Sequence, residues 1–228
     1  MRVVSLVPSV TETLSLWGVT PVAVTRYCER PDLVTVGGTK NPDLSHIIEL
    51  APDLVVLDEE ENRREDYDAL IDAGLAVHVT AVRSLENVTV ALRGLATAVH
   101  VNYEPTPTPT FSNPRRRAFV PIWRRPWRAL GRPTYGASLL SALGVEVLFD
   151  EPYPAVDLEL AARGSPQLVI APSEPYPFGE RHRHELEAVA PVLFLDGRDL
   201  FWWGVRTPGA LARLADILAR PTEASRAT

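Results

Sequence analysis

Short runs of almost wholly apolar, often β-branched residues recur through the first third of the chain, each followed by residues with helical spacing. Val3–Val7, Val22–Thr25 and Leu54–Leu57 are nearly all apolar rather than alternating, and Val77–Thr80 is read with them. A strand that is apolar on both faces must be covered on both faces. Leu44–Leu50 and Glu65–Ala73 fit helices lying between such strands, and Ser9-Val10-Thr11-Glu12 reads as a capping box opening a helix that Gly18 ends. This order predicts an α/β fold with parallel strands and helices on both sheet faces.

Leu85, Val88, Leu92, Leu95 and Val99 recur at spacings of three and four, one apolar stripe on a helix of about four turns. NYEPTPTPTFSNP follows, and its Pro-Thr pairs favour an extended, semi-rigid segment. After it the pattern restarts. Strands are expected at Ala118–Ile122, Val145–Phe149, Leu168–Ala171 and Val192–Leu195, and helices at Tyr135–Leu143, Leu158–Arg163, Glu180–Ala188 and Pro208–Ala219. The expected division is an N-terminal α/β lobe over 1–84, a connecting helix and Pro-rich linker over 85–116, and a C-terminal α/β lobe over 117–228.

The halves echo each other. Asp43-Leu44 stands nine residues before Pro52 and Asp157-Leu158 nine before Pro166; Glu60 and Glu174 each fall eight residues past the proline. Leu14–Val19 similarly matches Leu140–Val145. Matched spacing at several points argues for two Rossmann-like lobes with parallel sheets rather than one continuous sheet, and a cleft between lobes is where small ligands tend to bind.

Charge and length remove other classes. The net charge of −6 lacks the basic excess of a nucleic-acid binder, and Arg115–Arg117 reads as a solvated linker end. One cysteine, Cys28, allows no intrachain disulfide. No stretch approaches the roughly 18 apolar residues of a spanning helix, so membrane insertion is not expected. The N-terminal residues lack the pattern of a secretory signal, so a cytoplasmic chain is expected.

Ligands of open parallel sheets bind beyond the carboxyl ends of the strands, and the unusual residues of this chain gather in those positions. Tyr27 and Cys28 follow the second strand, and Gly37-Gly38-Thr39-Lys40 lies soon after without Walker spacing. The acidic run Asp58–Glu61 follows the third strand; it suits either a helix start or a docking surface. Four of the five tryptophans, Trp123, Trp127, Trp202 and Trp203, fall in two post-strand loops of the second half. Rings on loops need a covering surface: a ligand, a subunit or the other lobe. Arg124, Arg125, Arg198 and Arg206 stand beside them and can pair with carboxylates or stack on rings. His182 and His184 are two apart and share no helix face, which gives no metal pair, and no Ser, His and Asp spacing identifies a nucleophile.

With these motifs in place, the chain resembles the helical-backbone metal receptors, the class III periplasmic-binding-protein-like superfamily, and within it the cobalamin-binding-protein-like branch. RVVSLVPSVTETLSLWG, VGGTKNPDL, APDLVVLDEEENRRED, IWRRPW, SPQLVIAPSEPYPFGERH and DGRDLFWWGVRTPGAL carry the resemblance. It implies two α/β lobes joined by one long helix, a flat ligand between them, and acidic residues on each lobe, here Glu60 and Glu174, that dock onto an ABC permease. It also implies a pocket drawing on Tyr27, Trp123, Trp127, Phe201, Trp202 and Arg206. Two departures from the pattern are expected: no leader pattern is read in the first residues, and the connecting helix gives way to PTPTPT after Val99.

The leading reading is therefore a solute-binding protein for a corrinoid such as cobalamin or another tetrapyrrole-like metal chelate, with no catalytic cofactor and no bound catalytic metal. Trp123, Trp127, Trp202 and Trp203 would supply contact area, and Arg124, Arg125 and Arg206 would meet peripheral carboxylates or amides. The rival is a cytoplasmic enzyme on the same scaffold, with Glu60, Glu174, His182 or Asp199 in acid–base roles. A third reading gives the tryptophan loops a subunit-contact role.

Overall fold

The computed structural model describes residues 1–112 and 114–219. It divides into two compact units: Met1–Val82, Glu86–Thr106 and Trp203–Val205 form the first, and Arg83–Leu85, Pro107–Trp202 and the chain from Arg206 form the second.

The first unit is built on a five-stranded sheet. Its elements are β1 (Val3–Ser5), α1 (Pro8–Leu16), β2 (Ala23–Val24), β3 (Val34–Thr35), the small pair β4 (Gly37–Gly38) and β5 (Asn41–Pro42), α2 (Leu44–Glu49), β6 (Leu54–Asp58), α3 (Arg64–Asp72), β7 (Val77–Thr80) and α4 (Asn87–Ala98). The sheet order is β3-β2-β1-β6-β7, and every pairing in it is parallel. All residues of β1 and β6 are buried, their apolar runs together with the polar ends Ser5 and Asp58. Val4, Leu6, Ala23, Ile47, Val55, Leu57 and Leu70 close the core between sheet and helices. Fully burying one such large side chain contributes about 1.5–3 kcal/mol. The helix α1 starts at Pro8 rather than at Ser9: Val7 is the N-cap and no side chain caps the helix. Proline lacks an N–H and has a preset φ, so it fits the first helical turn and leaves one orphan donor fewer there. The helix expected to connect the lobes is α4, which belongs to the first unit together with the extended residues up to Thr106.

The second unit repeats the scheme with four parallel strands. It contains β8 (Arg116–Phe119), β9 (Pro121–Trp123), β10 (Arg128–Ala129), α5 (Tyr135–Ala142), β11 (Val145–Val147), α6 (Leu158–Arg163), β12 (Leu168–Pro172), a single 3₁₀ turn (Glu180–His182), α7 (Arg183–Glu187), β13 (Val192–Leu195), α8 (Gly197–Phe201) and α9 (Thr207–Ala219). The order is β11-β8-β12-β13. Phe119, Ala161, Val169, Ala171 and Leu186 form its buried core. The expected strand Ala118–Ile122 is in fact two. The ladder ends at Phe119, and Pro121–Trp123 turns away to pair antiparallel with Arg128–Ala129. Pro121 has no N–H to extend the parallel ladder, and the Val120 carbonyl instead accepts from Leu130 N at 2.8 Å. Likewise the expected helix Glu180–Ala188 is a 3₁₀ turn passing into a short α-helix, and the expected loop after β13 contains α8, capped where the Asp196 carboxylate accepts from Arg198 N at 3.0 Å.

The echo between halves has a structural meaning. Asp43 caps α2 by accepting from His46 N at 3.1 Å, and Asp157 caps α6 by accepting from Leu160 N at 2.6 Å. Each capped helix feeds the buried strand that ends just before Glu60 or Glu174.

Candidate functional site

In each sheet the strand order reverses beside the first strand: between β1 and β6 in the first unit, and between β8 and β12 in the second. At such a switch point the two following loops diverge and leave a crevice beyond the strand ends. In the second unit these loops are the β9–β10 hairpin and Ser173–Gly179. They meet through rings. Trp127 stacks on Phe178 with centroids 6.0 Å apart and planes 5° apart. Trp123 meets Tyr176 edge-on at 5.7 Å. Tyr176 and Phe178 are 4.7 Å apart, and both lean on the His182 imidazole, at 5.5 and 5.4 Å.

The platform is graded from inside to outside. Phe178 is 6% exposed and His182 5%, whereas Trp123 is 45% exposed. Burial and the nearby Arg181 and Arg124 charges push the His182 pKa below its ordinary value, so the ring is neutral at pH 7. Its Nδ1 accepts from Gly179 N at 3.2 Å, which fixes the imidazole under the rings. Sequence reasoning missed Tyr176, Phe178 and Glu185. The alternation Tyr176-Pro177-Phe178 in a post-strand loop is the signal that could have found the first two.

Each arginine of this region is placed differently. The Arg124 Nε donates to Glu185 Oε2 at 2.9 Å, and its guanidinium lies 6.0 Å from the Trp127 ring centre. Arg125, next in the chain, is exposed at the hairpin tip with φ 63°. The Arg206 Nη2 donates to Asp199 Oδ1 at 2.7 Å, and its guanidinium covers the Trp202 ring at 5.6 Å. Arg213 grips the same carboxylate from its other side through two bonds of 2.6 and 2.8 Å. Arg198 pairs with Asp196 at 2.8 Å. Together Asp196, Asp199, Arg206, Arg213, Asp216 and Ile217 line a pocket of about 420 Å³. Trp202 and Phe201 are half-buried in the second unit. Trp203 belongs to the first unit and is 5% exposed, so its indole acts in packing and offers almost no contact area.

The first unit contributes Tyr27, 53% exposed, with the Arg26 guanidinium 5.1 Å from its ring centre. Beneath it Cys28 is buried, and burial pushes its thiol pKa up despite contacts with Thr11 and Thr25, each at 3.2 Å. The acidic loop is held from below. Asp58 is 5% exposed, accepts from Glu60 N at 2.9 Å and takes the Thr80 hydroxyl at 2.7 Å; burial raises its pKa. The Asn62 amide donates to the Thr39 carbonyl at 2.9 Å while its oxygen accepts from Asp58 N at 2.8 Å. Lys40 Nζ donates to the Glu60 carbonyl at 2.6 Å. Glu60 is thus exposed on a braced loop. Glu174 has its own brace: a methyl at Gly197 would lie 2.7 Å from the Glu174 amide nitrogen, and Gly197 N donates to Ser173 Oγ at 3.0 Å.

Chemically, the arrangement suits contact rather than proton transfer. The Asp199 carboxylate is clamped by two guanidiniums, and His182 is buried with its Nδ1 engaged. Among the described residues, no group of three or more His, Cys, Asp or Glu is arranged to hold a metal ion. No described helix is long and apolar enough to cross a membrane.

No protein-family model matches the chain. It is 26% identical over 189 residues to the vitamin B12-binding protein of Salmonella paratyphi A, an alignment covering 74% of this chain and 71% of that protein. Among solved structures, the periplasmic vitamin B12-binding protein of Vibrio cholerae superposes with a TM-score of 0.76 at 20% identity, covering 95% of this chain and 96% of that one. A periplasmic heme-binding protein from Pseudomonas aeruginosa gives a TM-score of 0.77 at 20% identity, covering 97% and 94%. The α/β fold with two parallel sheets is shared with these structures.

Proposed function

We propose that this chain, a member of the class III periplasmic-binding-protein-like family and similar to its vitamin B12-binding branch, is a solute-binding protein for a corrinoid or another tetrapyrrole-type metal chelate. The metal complex is cargo, and no catalytic cofactor is involved. The observation that carries the reading is the aromatic platform at the switch point of the second unit, deeply anchored through Phe178 and His182 and open at Trp123. A cluster of rings anchored from below and exposed at Trp123 gives a macrocycle apolar contact area. Each ring buried against the ligand contributes about 1–3 kcal/mol. Three or four such rings offset the cost of association and leave roughly micromolar affinity or better.

Within this reading, Trp123 and Trp127 give area in the second unit, where Trp202 and Phe201 are further ring candidates, Tyr27 is the exposed ring of the first unit, and Arg125 supplies the polar fringe while Arg124 and Arg206, each paired with a carboxylate, hold their neighbouring rings. The acidic Glu60 and Glu174 dock onto basic pockets of an ABC permease; their matched positions after homologous strands and the braced loops beneath them support this. The expectation of a cytoplasmic chain is at odds with the solved neighbours, which are named periplasmic proteins. A receptor feeding an importer works on the outer side of the membrane, and we infer that location; cell fractionation with an antibody to the chain tests it.

The deciding experiment is titration with cyanocobalamin and with haemin, followed by gel filtration and visible spectra. Co-elution of coloured ligand without product formation supports the binding role. Turnover of the ligand would favour the enzyme reading, and a colourless protein with both ligands would remove the proposal.

A further inference from the structure

We infer that Arg125 is the anion-reading residue of the tryptophan platform, and that the site therefore selects planar chelates carrying a peripheral carboxylate over those fringed by neutral amides. This rests on the binding role proposed above and narrows its ligand class.

Most of the cationic charge around the platform is already partnered. Arg124 faces Glu185 at 2.9 Å, and Arg183 faces Glu180 at 2.6 Å. Arg128 donates to the Tyr153 carbonyl at 2.9 Å, and Arg181 to the Pro177 carbonyl at 3.3 Å. Further along, Arg206 and Arg213 share Asp199. In the two platform loops, Arg125 alone has neither a carboxylate nor a carbonyl partner among the described residues. It is exposed, and two positions before it stands Trp123, the most exposed ring of the platform. Its backbone lies in the left-handed region at φ 63°, a conformation that sets it at the apex of the hairpin between β9 and β10.

The division of labour follows. Arg124 is a positioning residue: pinned by Glu185 beside the Trp127 ring, it fixes the hairpin against the loop of Tyr176 and Phe178. Arg125 carries full charge into solvent at the rim of an apolar surface. A guanidinium there pairs with a carboxylate in a forked geometry that a neutral amide cannot match. A porphyrin's propionates supply such carboxylates, whereas the side chains of a cobalamin corrin ring end in amides.

The test uses three probes on the full chain: haemin, haemin dimethyl ester and cyanocobalamin, each titrated by absorbance and by tryptophan fluorescence. The variants are Arg125→Asn, chosen because asparagine tolerates the left-handed conformation, and Arg125→Lys. The wild type should bind haemin about tenfold more tightly than its ester, a difference shrinking as salt is raised. Arg125→Asn should lose about that factor for haemin and leave the ester unchanged, and Arg125→Lys should recover part of it. Equal affinity for haemin and its ester, or an equal loss for both in Arg125→Asn, would overturn the assignment. Tight cyanocobalamin binding with no haemin binding would also overturn it while leaving the binding role intact. If the wild type binds none of the three, the binding role falls and this inference falls with it.

Discussion

Trp127 and Phe178 stack with their planes 5° apart and their centroids 6.0 Å apart, so one near-parallel pair ties the hairpin after β8 to the loop after β12. Phe178 also touches Tyr176 and His182 and is 6% exposed. It is the ring on which the platform depends. Phe178→Ala should cost about 3–5 kcal/mol, the usual range for deleting a buried aromatic side chain, and should loosen both loops. Chemical denaturation measures the stability loss, and Phe178→Leu should restore much of it.

Trp123 is the converse case. Its ring is 45% exposed and rests on Tyr176 by an edge. Trp123→Ala should change the thermal midpoint by no more than about 2–4 °C, equivalent to roughly 1 kcal/mol in a chain of this size. It should lower affinity for the bound chelate by about tenfold or more. Unchanged affinity would place the ligand elsewhere.

His182 gives a pH signature. Its pKa lies below the ordinary 6.5 in the folded chain, so below that pH the unfolded chain binds more protons than the folded one. Stability contributed by the neutral ring is full above 6.5 and is lost as pH falls from there through the lower folded-state pKa. His182→Gln keeps an acceptor for Gly179 N and cannot titrate. The wild type should lose more stability than this variant between neutral and mildly acidic pH in paired denaturant titrations. Parallel curves would assign the acid sensitivity to other groups.

Much of the fold was legible because its signal is local. Val77–Thr80, Leu158–Arg163 and Val192–Leu195 match their expected bounds, since a β-branched segment, a capping aspartate and an unbroken apolar run, in that order, suffice to define them. The hairpin at Pro121 was not legible. Whether a strand continues or turns off depends on a missing N–H in the ladder, and a run of apolar residues hides that. In the candidate site, the indoles and arginines could be picked out by composition. Their partners could not: Glu185 lies 61 residues from Arg124, and Asp199 meets Arg206 and Arg213 from seven and fourteen residues away. Trp203 shows the limit from the other side, since adjacency to Trp202 in sequence sends it into a buried position in the other unit.

The loop that carries Glu174 is set by a residue with no side chain. Gly197 opens α8 so close to β12 that a methyl group would sit 2.7 Å from the Glu174 nitrogen and 2.8 Å from its carbonyl oxygen, both backbone atoms that cannot swing aside. The same residue donates its N–H to Ser173 Oγ, tying the start of α8 to the start of the loop. Gly197→Ala must therefore push the Ser173–Gly179 loop outward, carrying Glu174 at one end and the Tyr176 and Phe178 rings at the other. The expected cost is about 1–3 kcal/mol, typical of forcing an extra methyl into a packed site. Glu174→Ala shortens a partly exposed side chain, leaves the Gly197 contact with the loop backbone unchanged, and should cost less stability than Gly197→Ala. Amide hydrogen exchange over Ser173–Phe178 separates the two: faster exchange in Gly197→Ala and native protection in Glu174→Ala are expected. Native protection in both would show that the loop holds its place without this contact.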